Sequence, residues 1–300
     1  MDDNRAWWSL TLEPRPESRE ALTAILYEVG CSGIWERDET IAAAGRNQLT
    51  VYFPGPAPAV LEFLEWWPRA AGLVAGTPEI ETVENRDWFR SWRENFAPAA
   101  LTADTLVIPA WMEPEANEPR LVLKIYLGQG FGTGTHETTR LAAGLIEAEL
   151  AVAGDRRPEI NSLLDIGTGS GILAILAARR GIGRITALDI DRDALENARE
   201  NLAHNGVEEL VELSLRPLEK LSERYDLVVA NIVAPVLREL APHFPRLLRP
   251  EGRLILSGLL VDQAEELARR CSSLGLVCGP RHDLGEWSAF ICRIKPEIVP

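Results

Sequence analysis

Apolar positions along the chain follow two different rhythms, and the change between them falls near residue 120. In the first 84 residues short strand-like runs alternate with helical stripes. Residues 7–12, 32–36, 49–53 and 79–83 predict strands, and Leu22, Ile25, Leu26 and Val29 form the i, i+3, i+4, i+7 stripe of a helix stopped by Gly30. Behind the breaker run PGPAP a further helix is expected from about 59 to 67. That order, βαββαβ, predicts a small ferredoxin-like α+β domain over residues 1–84.

Beyond residue 120 the alternation becomes regular. Strands are expected at 121–126, 162–166, 184–190, 211–215, 226–232 and 253–259, with helices at 139–150, 172–180, 192–205, 235–248 and 262–274. Runs such as LVVANI and LILSGLL are apolar on both faces, as in a parallel sheet covered by helices. The last two strands, near 276–278 and 287–293, are too close for a crossover helix and should pair antiparallel at the end of the sheet. The fold class is therefore α/β: a Rossmann-like domain over 116–300, behind the ferredoxin-like one. Between them, 85–115 is read as a tryptophan-rich linker, NRDWFRSWRENFAPAA, in which Trp88 and Trp92 share a helix face that packs a seam.

Composition narrows the classes. No apolar run reaches the eighteen or so residues of a membrane span, and nothing resembles a signal peptide, so a cytoplasmic protein is expected. The four cysteines, Cys31, Cys271, Cys278 and Cys292, have no C-x-x-C spacing, and are read as buried reduced thiols with no metal site. A net charge of −14 opposes binding to nucleic acid. Residues 1–84 hold six arginines, no lysine and 14 acidic residues, a net of −8 that would attract a basic partner.

Two glycine-rich stretches carry the candidate chemistry: GFGTGTHETT at 130–139 and DIGTGSG at 165–171. The second runs from a predicted strand into a predicted helix, the arrangement that brings a ligand against backbone N–H groups. It also fits G-x-G-x-x-A through Gly169, Gly171 and Ala174, so a dinucleotide site stays open. Asp165 weighs against it, because a carboxylate before the first glycine repels a pyrophosphate and suits a cationic ammonium or sulfonium ligand, which favours S-adenosylmethionine. Asp189 ends the next strand, where a carboxylate can accept the hydroxyls of a ribose in either cofactor.

DIGTGSG, LDID, VVANIVAP and LILSGLL in succession resemble the motifs of class I S-adenosylmethionine-dependent methyltransferases. With GFGTGTHETT and the tryptophan connector added, nearly the whole chain resembles the ribosomal protein L-eleven methyltransferase family (PrmA). The resemblance implies a recognition domain followed by a catalytic domain, and cofactor binding by Thr139, Gly167, Asp189 and Asn231. Gly169, Asp165, Thr135 and His136 join the candidate set as neighbours in the two glycine-rich stretches. Asn231 is the candidate catalytic residue, beside the methyl group. The family's usual Pro-Gly-x-Ala is replaced here by Leu127, Gly128, Gln129 and Gly130, which should loosen the start of the first glycine stretch.

Methyl transfer from a sulfonium needs an in-line neutral amine, so geometry outweighs acid catalysis. His136 is expected to bond its own loop or the cofactor carboxylate rather than take the proton. The expected function is transfer of methyl groups to lysine and α-amino groups of a basic ribosomal protein, with no direct nucleic-acid or membrane partner, by a monomer. N-P-P-aromatic, common where adenine or glutamine amides are methylated, is absent, since Asn231 is followed by Ile232, Val233 and Ala234. The alternatives are a lysine methyltransferase acting on a flavoprotein, an NAD-dependent oxidoreductase, and a binding module that has lost its activity.

Overall fold

The computed structural model describes residues 7–15, 18, 22, 26, 33–37, 48–54, 71–75, 79–83, 98–126, 136–152 and 159–295. The chain divides into two compact units, Met1–Phe96 and Ala97–Pro300. In the first, β1 (Trp7–Leu12), β2 (Gly33–Arg37), β3 (Gln48–Pro54) and β4 (Glu79–Val83) form one sheet in the order β2-β3-β1-β4. Every pairing is antiparallel. Leu10, Leu12, Leu49 and Val51 turn one face of this sheet inward against the helical residues Leu22 and Leu26, the two members of the predicted stripe within the described residues. The second predicted helix, at 59–67, lies outside the described residues, as do Trp88 and Trp92.

The second unit is built on seven strands. β8 (Ser162–Ile166), β9 (Arg184–Leu188), β10 (Val211–Ser214), β11 (Tyr225–Asn231) and β12 (Leu248–Leu260) are parallel, and β13 (Leu276–Leu284) and β14 (Trp287–Ile294) complete the order β10-β9-β8-β11-β12-β14-β13. β14 pairs antiparallel with both neighbours, as the short connection to β13 requires. Strand order reverses about β8 and β11, so their C-terminal ends form the crevice where ligands bind to open α/β sheets. Around the sheet, α1 (Glu137–Val152), α2 (Ile172–Arg179), α3 (Arg192–Asn205) and α6 (Val261–Ser273) cover its faces. One continuous apolar cluster, including Leu164, Val228, Leu237, Phe244, Leu254 and Phe290, fills the side that carries β11 and β12.

Three expectations change. The helix expected at 235–248 is broken into α4 (Ala234–Leu240), a 3₁₀ turn (Ala241–His243) and α5 (Phe244–Leu247), because Pro242 and Pro245 have no N–H to donate to the preceding turn, although Ala241 and Phe244 before them keep helical dihedrals. The strand expected at 121–126 does not join the main sheet. It is β7 (Leu121–Ile125), which pairs parallel with β6 (Thr105–Pro109), while β5 (Ala99–Ala100) pairs with the far side of β6. The other edge of β7 is met by side chains of α3: Asn205 Oδ1 accepts from Lys124 N at 2.9 Å, and Asn201 Oδ1 accepts from Tyr126 N at 2.6 Å.

The cysteines are the third. Cys278 and Cys292 stand opposite each other on the antiparallel strands β13 and β14 and are joined as a disulfide, so they are not the reduced thiols read from the sequence. Facing positions across a hairpin are fourteen residues apart here, a spacing that no local motif announces. Cys271 on α6 remains a buried thiol, its pKa pushed up to about 11 by burial, and its sulfur lies within 4.8 Å of the other two.

One buried ion pair anchors α1, the helix that follows the histidine of the first glycine stretch. Glu149 meets Arg253 of β12 at 2.7 Å and Arg293 of β14 at 3.0 Å, and Arg253 is only 2% exposed. Glu149→Gln removes the charge that faces the buried Arg253 guanidinium, and should lower stability by about 3–5 kcal/mol in denaturant unfolding. A loss below about 1 kcal/mol would mean that the pair contributes nothing specific.

Candidate functional site

β8 ends at Ile166, α2 begins at Ile172, and the five residues between them carry three glycines, all at positive φ: Gly167 +74°, Gly169 +54° and Gly171 +80°. Side chains rarely adopt that backbone. Space also forbids one at Gly167, where a Cβ would lie 2.5 Å from Cγ2 of Ile232, and a Cβ on Gly171 would come within 3.2 Å of Ala198 on α3. The turn is held by its neighbours: Gly167 N and Thr168 N both donate to Leu188 O at 2.9 Å. Gly169 N donates to Asp189 Oδ2 at 2.9 Å, and Asp191 N donates to Oδ1 of the same carboxylate at 3.0 Å. Each oxygen of Asp189 keeps a further lone pair, so the carboxylate is oriented without being saturated.

Asp165 lies directly under this turn and is 1% exposed. Thr168 Oγ1 donates to its Oδ2 at 2.7 Å, and Oδ1 is buried with no hydrogen-bond partner among the described residues. Burial, opposed by the Thr168 bond and reinforced by the charge of Asp189, raises its pKa to about 7. On the next strand Val229 pairs with Asp165 and Ala230 with Ile166, which puts Asn231 one residue beyond the end of that pairing. Asn231 Nδ2 donates to Thr139 Oγ1 at 3.4 Å, and its Oδ1 is also buried and unpaired. Among the described residues, two acceptors without donors therefore stand at the ends of adjacent strands, an arrangement expensive to bury unless a donor or a cation reaches them.

α1 delivers the third side of the site. Thr139 is 1% exposed in its first turn, and Ser257 Oγ of β12 donates to Thr138 O at 2.9 Å. His136 Nδ1 accepts from Thr138 N at 3.3 Å and contacts Thr138 Oγ1 at 2.9 Å, so the ring proton is assigned to Nε2. Its one basic lone pair is thereby occupied, and the ring packs edge-on against Trp287 at 4.9 Å. This agrees with a bonding role for His136 and disfavours a proton acceptor. Thr135 lies outside the described residues, with the rest of 127–135.

The structure thus brings Asp165, Gly167, Gly169, Asp189, Asn231, Thr139 and His136 to the C-terminal side of one sheet. Sequence reasoning missed two residues. Ile190, beside Asp189, is 98% exposed at the same edge, an unusually bare apolar side chain. Asn201 of α3 is fully buried, and its Nδ2 donates to Ser170 O of the glycine turn at 2.9 Å. The signal for Asn201 was the spacing Asn197, Asn201, Asn205, three amides on one helix face where an apolar stripe is the norm.

Five parallel strands closed by an antiparallel pair, a glycine turn over a buried carboxylate and an acid ending the next strand define a class I S-adenosylmethionine-dependent methyltransferase. The family described as ribosomal protein L11 methyltransferase (PrmA) matches residues 6–295, and the chain belongs to it. The ribosomal protein L11 methyltransferase of Sorangium cellulosum (strain So ce56) is 40% identical over 267 residues, spanning 87% of this chain and 81% of that one. Its namesake in Pelobacter propionicus is 34% identical over 304 residues, spanning 96% and 97%. The crystal structure of a ribosomal protein L11 methylase from Lactobacillus delbrueckii subsp. bulgaricus, 28% identical, superposes with a TM-score of 0.60 over 67% of this chain and all of that one. The dinucleotide reading left open by the glycine spacing falls with this membership.

A cation bound beside Asp165 favours its ionised form, and a carboxyl with a pKa of about 7 must lose a proton to receive it. Affinity for S-adenosylmethionine should therefore fall below about pH 7, by up to about tenfold per pH unit, and Asp165→Asn should flatten the profile. Titration calorimetry between about pH 5.5 and pH 8 checks this, and a flat wild-type profile would remove Asp165 from contact with the cation.

Proposed function

We propose that this protein transfers methyl groups from S-adenosylmethionine to amino groups of ribosomal protein L11, on lysine side chains and the α-amine, and that it does so as a cytoplasmic monomer without direct contact to nucleic acid. The pair of unpaired buried acceptors, Asp165 Oδ1 and Asn231 Oδ1, carries the site assignment. The cofactor supplies an electrophilic methyl group on a positively charged sulfur. Asp165 offers its carboxylate to the cationic end of that molecule, Asp189 offers free lone pairs to the ribose hydroxyls, and Ile190 offers an apolar wall to the base. Gly167 and Gly169 bare their backbone, Thr139 holds Asn231, and His136 and Thr135 lie along the chain that leads to α1.

Asn231 has the part closest to the chemistry. A lysine ammonium with a reference pKa near 10.4 must lose a proton before its lone pair can attack, and the remaining N–H groups must then be aimed. Oδ1 of Asn231 can accept one of them, while the other end of the amide lies 3.4 Å from the Thr139 hydroxyl. No side chain of this set need act as a strong base. The catalytic assignment covers 116–300, and of the tryptophan-rich stretch 85–115, residues 97–115 belong to the second compact unit, where β6 pairs with β5 and β7. Residues 1–84, with a net charge of −8, are proposed to recognise the basic ribosomal protein, a role supported by charge complementarity and by family relatives that span both units.

Incubation with labelled cofactor and a mixture of ribosomal proteins should place the label on L11 amines, located by mass spectrometry. Label on RNA, or on other proteins in preference to L11, would sink the substrate assignment. Asn231→Ala should lower kcat by about a hundredfold or more, with the Kd for S-adenosylmethionine changed far less, because the lost acceptor faces the amine.

A further inference from the structure

The three amides on α3 make a set of bonds that a neighbouring strand would otherwise make. Asn205 accepts from Lys124 N at 2.9 Å and donates to Lys124 O at 2.6 Å; Asn201 accepts from Tyr126 N at 2.6 Å; Asn197 donates to Tyr126 O at 3.0 Å. The edge of β7 is thereby closed by side chains four residues apart on one helix. Asn201 differs from the other two. Its Nδ2 donates to Ser170 O, inside the glycine turn, at 2.9 Å, while its Oδ1 holds Tyr126. The orientation of the amide is unambiguous, because Tyr126 N can only donate and Ser170 O can only accept.

Both ends of one fully buried carboxamide are therefore committed, one to the turn and one to the end of β7. The turn needs such a fastening. Its three glycines reach positive φ freely, and the same freedom lets them leave it when no ligand is bound. Tyr126, in turn, is the last described residue before the first glycine stretch, ten positions ahead of His136. The helix that supplies Asn201 begins directly behind Asp189 and Ile190, with Asp191 as its N-cap. One rigid element thus links the ribose carboxylate, the glycine turn and the end of β7.

We propose that Asn201 is a positioning residue for cofactor binding: its carboxamide fastens the glycine turn in binding geometry and couples that turn to the end of β7. Asn201 touches neither cofactor nor target. Coupling of this kind is reciprocal, so a ligand that settles the turn also tightens the Tyr126 bond, and loosening that bond weakens the ligand. The inference rests on the reading that the turn at Gly167–Gly171 receives the cofactor.

Two substitutions in the full-length chain separate positioning from simple support. Asn201→Leu and Asn205→Leu each release β7 at one rung, with similar volume and no new charge, but only the first also releases Ser170. Calorimetric titration with S-adenosylmethionine should show Asn201→Leu weakened at least about fivefold more than Asn205→Leu, with KM for the cofactor rising more than kcat falls. Equal weakening in both, or none in either, overturns the proposal. Should Asn201→Leu fail to fold, hydrogen exchange on the unsubstituted protein decides: S-adenosylhomocysteine should slow exchange of the Tyr126 amide, and unchanged exchange overturns it. Asp189→Ala, run in parallel, guards the underlying reading. Full affinity in that variant would show that the site itself is misplaced, whereas loss there with none in Asn201→Leu refutes the positioning role alone.

Discussion

A buried carboxylate with one oxygen unpaired is the constraint on which this site depends. Asp165 sits at the end of a central parallel strand, shielded from water, with the Thr168 hydroxyl donating to one oxygen and the Ala174 backbone also bonded to the carboxylate. An ionised group in that position is unfavourable by itself, which is why its pKa rises toward neutrality. A cation beside this carboxylate would relieve that penalty, which gives the position a preference for a positively charged ligand. A negative charge in that position disfavours a pyrophosphate and favours a cationic ligand, in keeping with the S-adenosylmethionine-dependent family to which the chain belongs.

Everything around that carboxylate serves to keep the crevice open and defined. The three glycines let the backbone turn within contact of Ile232 and Ala198 without side chains in the way. The carboxylate of Asp189 orients the turn by accepting from Gly169 before it meets any sugar. The Glu149 pair with Arg253 and Arg293 fixes the far half of α1 on the sheet, which sets where Thr139 meets Asn231. Because the ion pair stands away from the strand ends, it steadies the helix without adding charge to the reaction site.

The first unit differs in charge: residues 1–84 carry a net of −8, around a small apolar core of Leu10, Leu12, Leu22, Leu26, Leu49, Val51 and Val74. Electrostatic attraction of that sort guides encounter and orientation more than it adds affinity, which suits a protein target that must be engaged and released.

Much of this was legible in the chain alone, because it depends on short-range order. Strand periodicity marked β1, β4 and β8 at their observed bounds, and the helix expected at 192–205 is α3 at those bounds. What the sequence could not settle involves partners distant along the chain. Prolines at 242 and 245 stood in plain view, yet only packing decided that the segment would break into short helical pieces rather than bend as one. Cys278 and Cys292 became partners through strand register, and Asn201 acquired its two bonds because α3 crosses both β7 and the glycine turn. Local propensity and periodicity are properties of neighbours in sequence, whereas an unsatisfied oxygen or a shared amide exists only once the strands have been laid side by side.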